Sequence, residues 1–331
     1  MMIPHPPGSL RLLSVVIPCF NEEQNVELLH ERLSFVLKKM NYAYEIIFVE
    51  NGSLDGSQQK LIDIAKKDPN VRIVVLTRNF GYQGGITAGL TQAKGDAVVV
   101  MDADLQDPPE MIPSFVEEWG KGFNIVYGLR ESRTASRFHQ WGYKMFYRFM
   151  RAAAYVDIPL DASDFALYDR RVIDLLLRFP ERDRLLRALR AFTGFSHTGV
   201  PYHRPERHAG ESNFRLRDYV RFAERGIFSF SYKPLELVSI LAGITILLTV
   251  IAAFAYLILA LVKTDIPHGF PTTILFILFL GGVQLLSLSI IGSYVGRIFE
   301  EVKQRPIFIL DREVSFRNTG EVHVDPPPDK R

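Results

Sequence analysis

Cysteine and net charge are nearly absent from this chain, and each absence excludes a class of protein. The 331 residues contain one cysteine, Cys19, which cannot form a disulfide within the chain and lies in an apolar stretch typical of an unreactive core residue. The formal net charge is only +2, so the sequence lacks the basic surplus with which proteins bind nucleic acid. It also lacks the motifs G-x-x-x-x-G-K-[ST] and G-x-G-x-x-G, which leaves P-loop and dinucleotide-dehydrogenase folds with little support.

Hydrophobic residues are concentrated in two runs near the C-terminus, at 235–262 and 271–298. Each run is long enough for a helix that crosses a bilayer, whereas the alternative, a buried helical hairpin in a soluble protein, would require unusually long core helices. Basic residues flank both runs on the side of the main part of the chain, and the connecting loop at 263–270 has few. By the positive-inside rule we expect a transmembrane hairpin at 234–299 in the inner (plasma) membrane, with both termini in the cytoplasm.

The N-terminal part alternates short apolar runs, which predict buried strands, with residues at helical spacing. Asn21 is expected to cap the first helix, and the helix after the glycine-rich turn at 79–85 is expected to begin at Ile86. The alternation predicts a mostly parallel, Rossmann-like α/β sheet with helices on both faces, over residues 1–215. Ligands bind such sheets beyond the carboxyl ends of the strands, where the polar turns of this sequence fall. The strands are expected at residues 12–18, 45–50, 71–76, 97–101 and 125–129.

The turn after the fourth of these strands combines carboxylates with an amide. Asp102 and Asp104 alternate along an extended chain, so their side chains point to one face, and Gln106 can join them where the chain turns. Hard oxygen ligands suit Mg²⁺ or Mn²⁺, and a metal with few protein ligands takes phosphate oxygens to complete its coordination. From these residues alone, a solvated acidic turn is an equally good interpretation.

Three segments, taken together, resemble the successive motifs of inverting family-two glycosyltransferases. They are VIPCFNEE at 16–23, ENGSLDGS at 50–57 and DADLQDPP at 102–109. The resemblance covers nearly the whole chain, including the two C-terminal membrane helices. It is strongest to the polyprenyl-phosphate branch, which includes dolichol-phosphate mannose synthases and bacterial undecaprenyl-phosphate glucosyltransferases. The resemblance implies a GT-A fold, a nucleotide-diphosphate sugar as donor, a polyprenyl phosphate as acceptor, and Mg²⁺ or Mn²⁺ as cofactor.

The same resemblance assigns residues to the donor. Asp102 would meet the nucleoside, while Asp104 and Gln106 would hold the metal against the diphosphate, which also makes Asp104 a catalytic residue. The family usually has two aspartates where this chain has Glu50 and Asn51. The resemblance implies a UDP-sugar, but an amide donates as well as accepts hydrogen bonds, so Asn51 also allows a different base. The remaining residues implied for the nucleotide-sugar pocket are Pro18, Phe20, Glu22, Glu50, Asn51 and Arg207.

A later segment resembles the part of the family that bears the proposed catalytic carboxylate. Asp164 is the match, and Asp161 is a nearby rival. The arginine that usually follows two residues later is Ala166 here, so one basic contact is lost. Three basic residues match positions that bind the acceptor phosphate in similar enzymes: Arg130, Arg137 and Lys144.

The chain also contains segments suited to a membrane surface. Aromatic and basic residues are mixed at 134–155, as in a helix that lies in the headgroup zone, although a helix packed on its own domain would look similar. A second amphipathic segment at 216–233 leads into the first apolar run. The cytosolic tail at 300–331 is expected to contain a strand at 305–310. In similar proteins this tail helps subunits associate, so we expect a homo-oligomer, a tetramer by resemblance.

These features predict an enzyme that transfers one sugar, a glucose-like hexose, with inversion to undecaprenyl or another polyprenyl phosphate at the cytoplasmic face of the membrane. Its product would serve the modification of envelope polysaccharide or lipopolysaccharide. A processive polysaccharide synthase is the nearest alternative, but its Gln-x-x-Arg-Trp motif is absent and two spans are too few for a conduit. Alternatives from another class are an inactive scaffold and a lipid-sugar translocator. An acceptor phosphomonoester with a second pKa near ~6 is largely ionised at neutral pH. Asp164 is therefore expected to orient the acceptor or stabilise an oxocarbenium-like transition state as much as to take a proton.

Overall fold

The computed structural model describes residues 10–130, 162–182, 184–204, 233–262, 269–316 and 323–325. The chain divides into two compact units. The first contains the sheet, its helices and the segment from Arg305 onward. The second contains the two long helices and ends at Gln304. Several predictions lie outside the described residues: those for Arg137, Lys144, Asp161, Arg207 and the amphipathic segments at 134–155 and 216–232.

The described residues of the first unit contain nine strands: β1 Leu12–Cys19, β2 Ala43–Glu50, β3 Val71–Leu76, β4 Ala97–Val100, β5 Ile125–Arg130, β6 Ala162–Asp169, β7 His197–Tyr202, β8 Leu310–Ser315 and β9 His323–Asp325. They form one sheet in the order β7-β5-β6-β4-β1-β2-β3-β8-β9. The four strands β3-β2-β1-β4 are parallel, and β6 runs antiparallel between β4 and β5. The parallel core confirms the predicted Rossmann-like α/β fold.

Helices cover both faces of this sheet. They are α1 Val26–Lys39, α2 Ser57–Lys67, α3 Gly81–Gln92, α4 Ile112–Gly120, α5 Arg170–Arg178 and α6 Leu186–Phe192. Every residue of β3 is buried, as expected for a parallel strand that is covered on both sides. Val15 and Ile17 of β1 join the main hydrophobic core with α1, while Val16 faces α3. Helix α3 lies so close to β1 that a Cβ atom on Gly89 would clash with Val16, so the contact requires glycine.

Two local predictions are wrong. Asn21 does not cap α1, which begins at Val26. Instead Asn21 has a left-handed backbone (φ 56°) and accepts a hydrogen bond from Leu54 N (2.8 Å), which joins the loops that follow β1 and β2. Helix α3 begins at Gly81 rather than at Ile86, so the glycine-rich segment forms its first turns.

The C-terminal strand also differs from the prediction. It spans Leu310–Ser315 rather than 305–310, and it pairs antiparallel with β3 in the sheet of the first unit. A buried ion network fixes it there, because Arg72 of β3 donates both to Glu45 Oε2 (2.5 Å) and to Glu313 Oε1 (2.7 Å). The network lies near the beginnings of β2 and β3. This is the end of the sheet opposite the acidic turn, residues 102–107, that follows β4.

The second unit consists of α7 Lys233–Val262 and α8 Phe270–Val302, which contact each other. Their apolar stretches are Lys233–Ala252, with a mean hydropathy of 2.4, and Phe279–Val302, with 1.5, and neither stretch is buried. At a rise of 1.5 Å per residue the helices are roughly 45 and 50 Å long. By length and composition, both are able to cross a membrane.

Candidate active site

The acidic turn after β4 lies at the carboxyl end of the parallel strands. Asp102 is half-buried, Asp104 is 5% exposed and Asp107 is fully buried. Carboxylates this far from water require hydrogen bonds or a cation, because burial without either is costly. The turn is therefore not the solvated acidic turn that the sequence had left open.

Asp102 is held between a helix and its own turn. Its Oδ1 accepts a hydrogen bond from the hydroxyl of Tyr82 in α3 (2.5 Å), and its N–H donates to Asp107 Oδ2 (3.1 Å). Burial, together with the negative charges of Asp107, Asp104 and Asp164, raises the pKa of Asp102 to about 8. Carboxylates that oppose one another's ionisation form a site that a cation would stabilise.

Asp104 and Gln106 fit a metal of the Mg²⁺ or Mn²⁺ type. Asp104 Oδ1 accepts a hydrogen bond from Gln106 N (3.1 Å), and Leu105 between them has a left-handed backbone (φ 61°). That conformation is costly for leucine, and strain of this kind is typical of functional turns. Among the described residues no group of three or more His, Cys, Asp and Glu residues forms a metal site. One carboxylate and one amide oxygen suit an ion that takes its remaining ligands from a diphosphate and water.

Asp107 connects the acidic turn to the far strands of the sheet. Its Oδ1 accepts a hydrogen bond from the hydroxyl of Tyr202 in β7 (3.0 Å). Burial raises the pKa of Asp107, and the nearby cations of Arg130 and Arg204 oppose that effect. Its other oxygen, Oδ2, accepts the hydrogen bond from Asp102 N, so the buried Asp107 side chain stabilises the conformation of the turn.

The first motif forms the loop between β1 and α1. Pro18 lies near the end of β1, and the ring of Phe20 is 40% exposed, so it is available to a ligand. Glu22 is tied into the loop, because its Oε2 accepts from Asn25 Nδ2 (2.6 Å) and its N–H donates to Ser57 Oγ (2.9 Å). The structure thus brings the first-motif residues to the same edge of the sheet as the acidic turn.

The side chains of the second motif, Glu50 and Asn51, form hydrogen bonds within the protein. Glu50 accepts hydrogen bonds from its own loop, at Ser53 N (2.5 Å) and Gly52 N (3.2 Å), so it shapes the turn after β2. Asn51 uses both sides of its amide: Oδ1 accepts from Phe80 N (2.9 Å) and Nδ2 donates to Gly81 O (3.0 Å). An aspartate could not make the second bond.

We expect Asn51→Asp to destabilise the start of α3. A carboxylate would face the carbonyl oxygen of Gly81, and leaving that contact unsatisfied costs about 1–3 kcal/mol. Because Tyr82 follows immediately, the donor KM should rise more than the acceptor KM. Thermal unfolding and initial rates measure both effects. Asn79→Asp is the matched control, since Asn79 Oδ1 only accepts, from Gly81 N (2.7 Å); equal stability of the two variants would contradict the prediction.

Asp164 forms an ion pair that sequence reasoning missed. Arg187 of α6 binds it with two hydrogen bonds, Nε to Oδ1 (2.8 Å) and Nη2 to Oδ2 (2.7 Å). Although burial acts in the opposite direction, the guanidinium holds the pKa of Asp164 below its usual value. The only sequence signal is that Arg187 belongs to a series of arginines three residues apart, Arg184, Arg187 and Arg190.

The structure also brings Arg190 of α6 and Arg130, at the end of β5, close enough to favour the ionised form of Asp164. Arg130 is the one of these two that the sequence had singled out. Its Nε is buried and has no hydrogen-bond partner among the described residues. Tyr82 and Tyr202, like Arg187, were not singled out from the sequence, although each donates to an aspartate of the acidic turn.

Comparison with known proteins identifies the family. The sequence profile of "Glycosyl transferase family 2" matches residues 14–177. An uncharacterized glycosyltransferase of Synechocystis sp. is 42% identical over 301 residues, which cover 90% of this chain and 94% of that protein. This chain is a member of glycosyltransferase family 2. The GT-A fold and the glycosyltransferase activity that its motifs imply follow from that membership.

Other relatives of this family-two glycosyltransferase carry more specific names. The SfII prophage-derived bactoprenol glucosyl transferase of Shigella flexneri is 34% identical, covering 91% of this chain and 97% of its own. Among solved structures, glucosyl-3-phosphoglycerate synthase from Mycobacterium tuberculosis, in complex with Mn²⁺, UDP and glucosyl-3-phosphoglycerate, is 18% identical with a TM-score of 0.43, and the match covers 66% of this chain and 78% of that one.

Proposed function

We propose that this family-two glycosyltransferase transfers a single glucose-type hexose from UDP-glucose or a related nucleotide sugar to a polyprenyl phosphate, with inversion. The observation that carries the proposal is the position of a partly buried acidic turn beside the paired residues Asp164 and Arg187, at the ligand-binding edge of the sheet. Similarity to a bactoprenol glucosyl transferase over nearly the full length of both chains supports the choice of a polyprenyl acceptor.

On the donor side, Asp104 and Gln106 would hold Mg²⁺ or Mn²⁺, which when bound would neutralise charge on the diphosphate. Asp102 would meet the nucleoside, with Tyr82 fixing its carboxylate by the hydrogen bond described above. The exposed ring of Phe20 offers a flat apolar surface to the base. The other donor contacts proposed from the resemblance are Pro18, Glu22, Glu50, Asn51 and Arg207.

On the acceptor side, a phosphate oxygen would form a bond to the anomeric carbon as the bond from that carbon to the diphosphate breaks on the opposite face. The electron pair of the broken bond leaves with the nucleoside diphosphate, and the product is a polyprenyl-phosphate sugar. The acceptor is largely ionised at neutral pH, since its second pKa lies near ~6. A base is not required, and Asp164, whose pKa Arg187 holds low against the effect of burial, is suited to act as an ionised group.

We further propose that α7 and α8 cross the inner membrane and that the sheet domain and both termini lie in the cytoplasm, where Arg130, Arg137 and Lys144 would meet the acceptor phosphate. A homo-oligomer is also proposed from the resemblance, and its mass in detergent would test it. For topology, a reporter that is active only outside the cytoplasm should be silent when fused after Arg331. The same reporter inserted at 263–268 should be active, and the reverse pattern would refute the orientation.

The experiment that tests the function is separation of radiolabelled lipid products from membranes that contain the full chain. With UDP-glucose and a polyprenyl phosphate we expect one charged monosaccharide lipid. A polymer would indicate a processive synthase, and no product with any of several nucleotide sugars would indicate a scaffold or a translocator. Release of nucleoside diphosphate from each donor identifies the preferred sugar and base.

A further inference from the structure

We propose that Arg187 binds the phosphate of the acceptor and that Asp164 holds Arg187 in place for this contact rather than accepting a proton. The inference rests on the proposed function, because it names a contact with the acceptor of that reaction. It also assigns a role to a residue that no motif in the sequence pointed to.

The geometry of the pair places the carboxylate behind the guanidinium. The Asp164 side chain is 12% exposed and the Arg187 side chain 28%, so the cation is the more accessible partner. Both carboxylate oxygens are engaged, by Nε and Nη2. Among the described residues, the hydrogen bonds of Arg187 come from Nε and Nη2, so the donors of Nη1 are available to a ligand.

Arg187 lies at the same site as the acidic turn. Besides Asp164, the Tyr82 hydroxyl and the Asp102 carboxylate lie close enough to raise the pKa of Arg187 against the effect of burial. Tyr82 and Asp102 are hydrogen-bonded to each other, so these groups form one continuous cluster. A ligand of Arg187 would therefore lie next to the bound donor.

A second guanidinium, that of Arg130, lies close by. Burial and the positive charge of Arg187 both disfavour the Arg130 cation, while Tyr202 and Asp107 favour it strongly enough to raise its pKa. Two neighbouring arginines repel each other, and Arg130 Nε is buried with no hydrogen-bond partner in the part of the chain that the structure describes. A phosphate between them would remove the repulsion and accept the unused N–H groups, since guanidinium and phosphate geometries match.

Strand β6 contains no basic residue that could pair with Asp164. The residue two positions later shares a face of the strand with Asp164, because alternate residues of a strand point the same way. That residue is Ala166, which is uncharged and fully buried. Helix α6 supplies a guanidinium to Asp164 from another part of the chain.

The test compares Arg187→Gln and Arg187→Lys with the control Arg171→Gln in the full chain. Arg171 pairs with Asp169 at the opposite end of β6 (3.0 Å), so the control removes an arginine–aspartate pair away from the site. Using a short-chain prenyl phosphate as acceptor, we expect Arg187→Gln to raise the acceptor KM by about 10- to 100-fold, as for the loss of charge-assisted hydrogen bonds, with an unchanged donor KM. Arg187→Lys should fall in between, and the control should match the wild type.

Direct binding separates this inference from the proposed function. Titration calorimetry with the prenyl phosphate alone should show binding to the wild type and weaker binding to Arg187→Lys, which keeps a cation beside Asp164 and so preserves folding. An unchanged acceptor KM and unchanged binding in the variants would overturn the inference. The inference would also be overturned if the variants lost kcat and showed a shifted pH–rate profile while the acceptor KM and binding stayed unchanged. That result would indicate that Asp164 acts as a base. A wild type that binds the lipid but forms no sugar lipid would refute the function and leave the phosphate contact supported.

Discussion

Asp104→Asn is expected to lower turnover by ~10²–10³, the effect of losing a dominant contact to charge that develops in the transition state. The substitution keeps the size of the side chain but removes the anionic ligand from the turn in which Asp104 accepts a hydrogen bond from Gln106 N. Metal affinity should fall with turnover, and excess Mn²⁺ should recover part of the rate by mass action. Titration of Mg²⁺ and Mn²⁺ at several donor concentrations measures both changes.

Asp102→Asn is the matched comparison, two residues away in the same turn. Its side chain accepts from Tyr82 and is expected to meet the nucleoside, so the substitution should raise the donor KM more than the metal requirement. Near-native turnover of Asp104→Asn with an unchanged metal optimum would show that the metal lies elsewhere. The two variants thus separate metal binding from nucleoside binding within one short loop.

The location of the site was predictable from the sequence because it depends on local patterns. Apolar runs that end in polar turns identify buried strands, and the carboxyl ends of parallel strands meet at one edge. In the structure Asp102 and Asp104 follow β4 at that edge, as this pattern predicted, and their roles in binding stay predictions. The two apolar helices were equally evident, because their length and composition are properties of contiguous residues.

Contacts that cross the fold were not predictable in this way. Arg187 reaches Asp164 from a helix that follows in the chain, and no spacing rule connects an arginine on α6 to a carboxylate on β6. Asn51 looked like a departure in base recognition, yet its amide is used within the protein, between β2 and α3. In both cases the chemistry of the side chain was visible in the sequence but its partner was not.

The register of the C-terminal strand was missed for a related reason. The apolar residues that follow Arg305 suggested a strand, but the strand that forms contains charged residues, including Glu313. Its place in the sheet depends on the buried cation of Arg72, which is far away in the sequence. A hydrophobic pattern does not predict a strand that contains several charged residues. Here such a strand joins the sheet, where Glu313 forms an ion pair with Arg72.

Arg72→Ala is expected to lower the free energy of unfolding of the sheet domain by about 3–5 kcal/mol, because it leaves two buried carboxylates without their cation. Arg72 and Glu45 have side chains that are 4% and 0% exposed. Thermal unfolding of the full chain in detergent, followed by near-ultraviolet circular dichroism, should show a midpoint lower by roughly 10 °C. Arg32→Ala is the control, since its pair with Glu110 is solvent-exposed and such pairs contribute about 1 kcal/mol or less.

The pH dependence of that difference gives a second test of the same network. In the wild type, burial opposes ionisation of Glu45, but hydrogen bonds from Ser14 and Lys94 N and the charge of Arg72 lower its pKa overall. A carboxyl group whose pKa is lowered by folding stabilises the protein above its unfolded pKa, near ~4.3, and loses that contribution as the pH falls through the folded value. Without Arg72, burial should raise the pKa of Glu45. Protonation of Glu45 then removes a buried, unpaired charge from the variant and makes it less unstable, whereas in the wild type it removes a stabilising ion pair. The stability gap between the two should therefore narrow as the pH falls toward 4, and a gap that stays constant or widens would show that Arg72 acts through packing rather than through its charge.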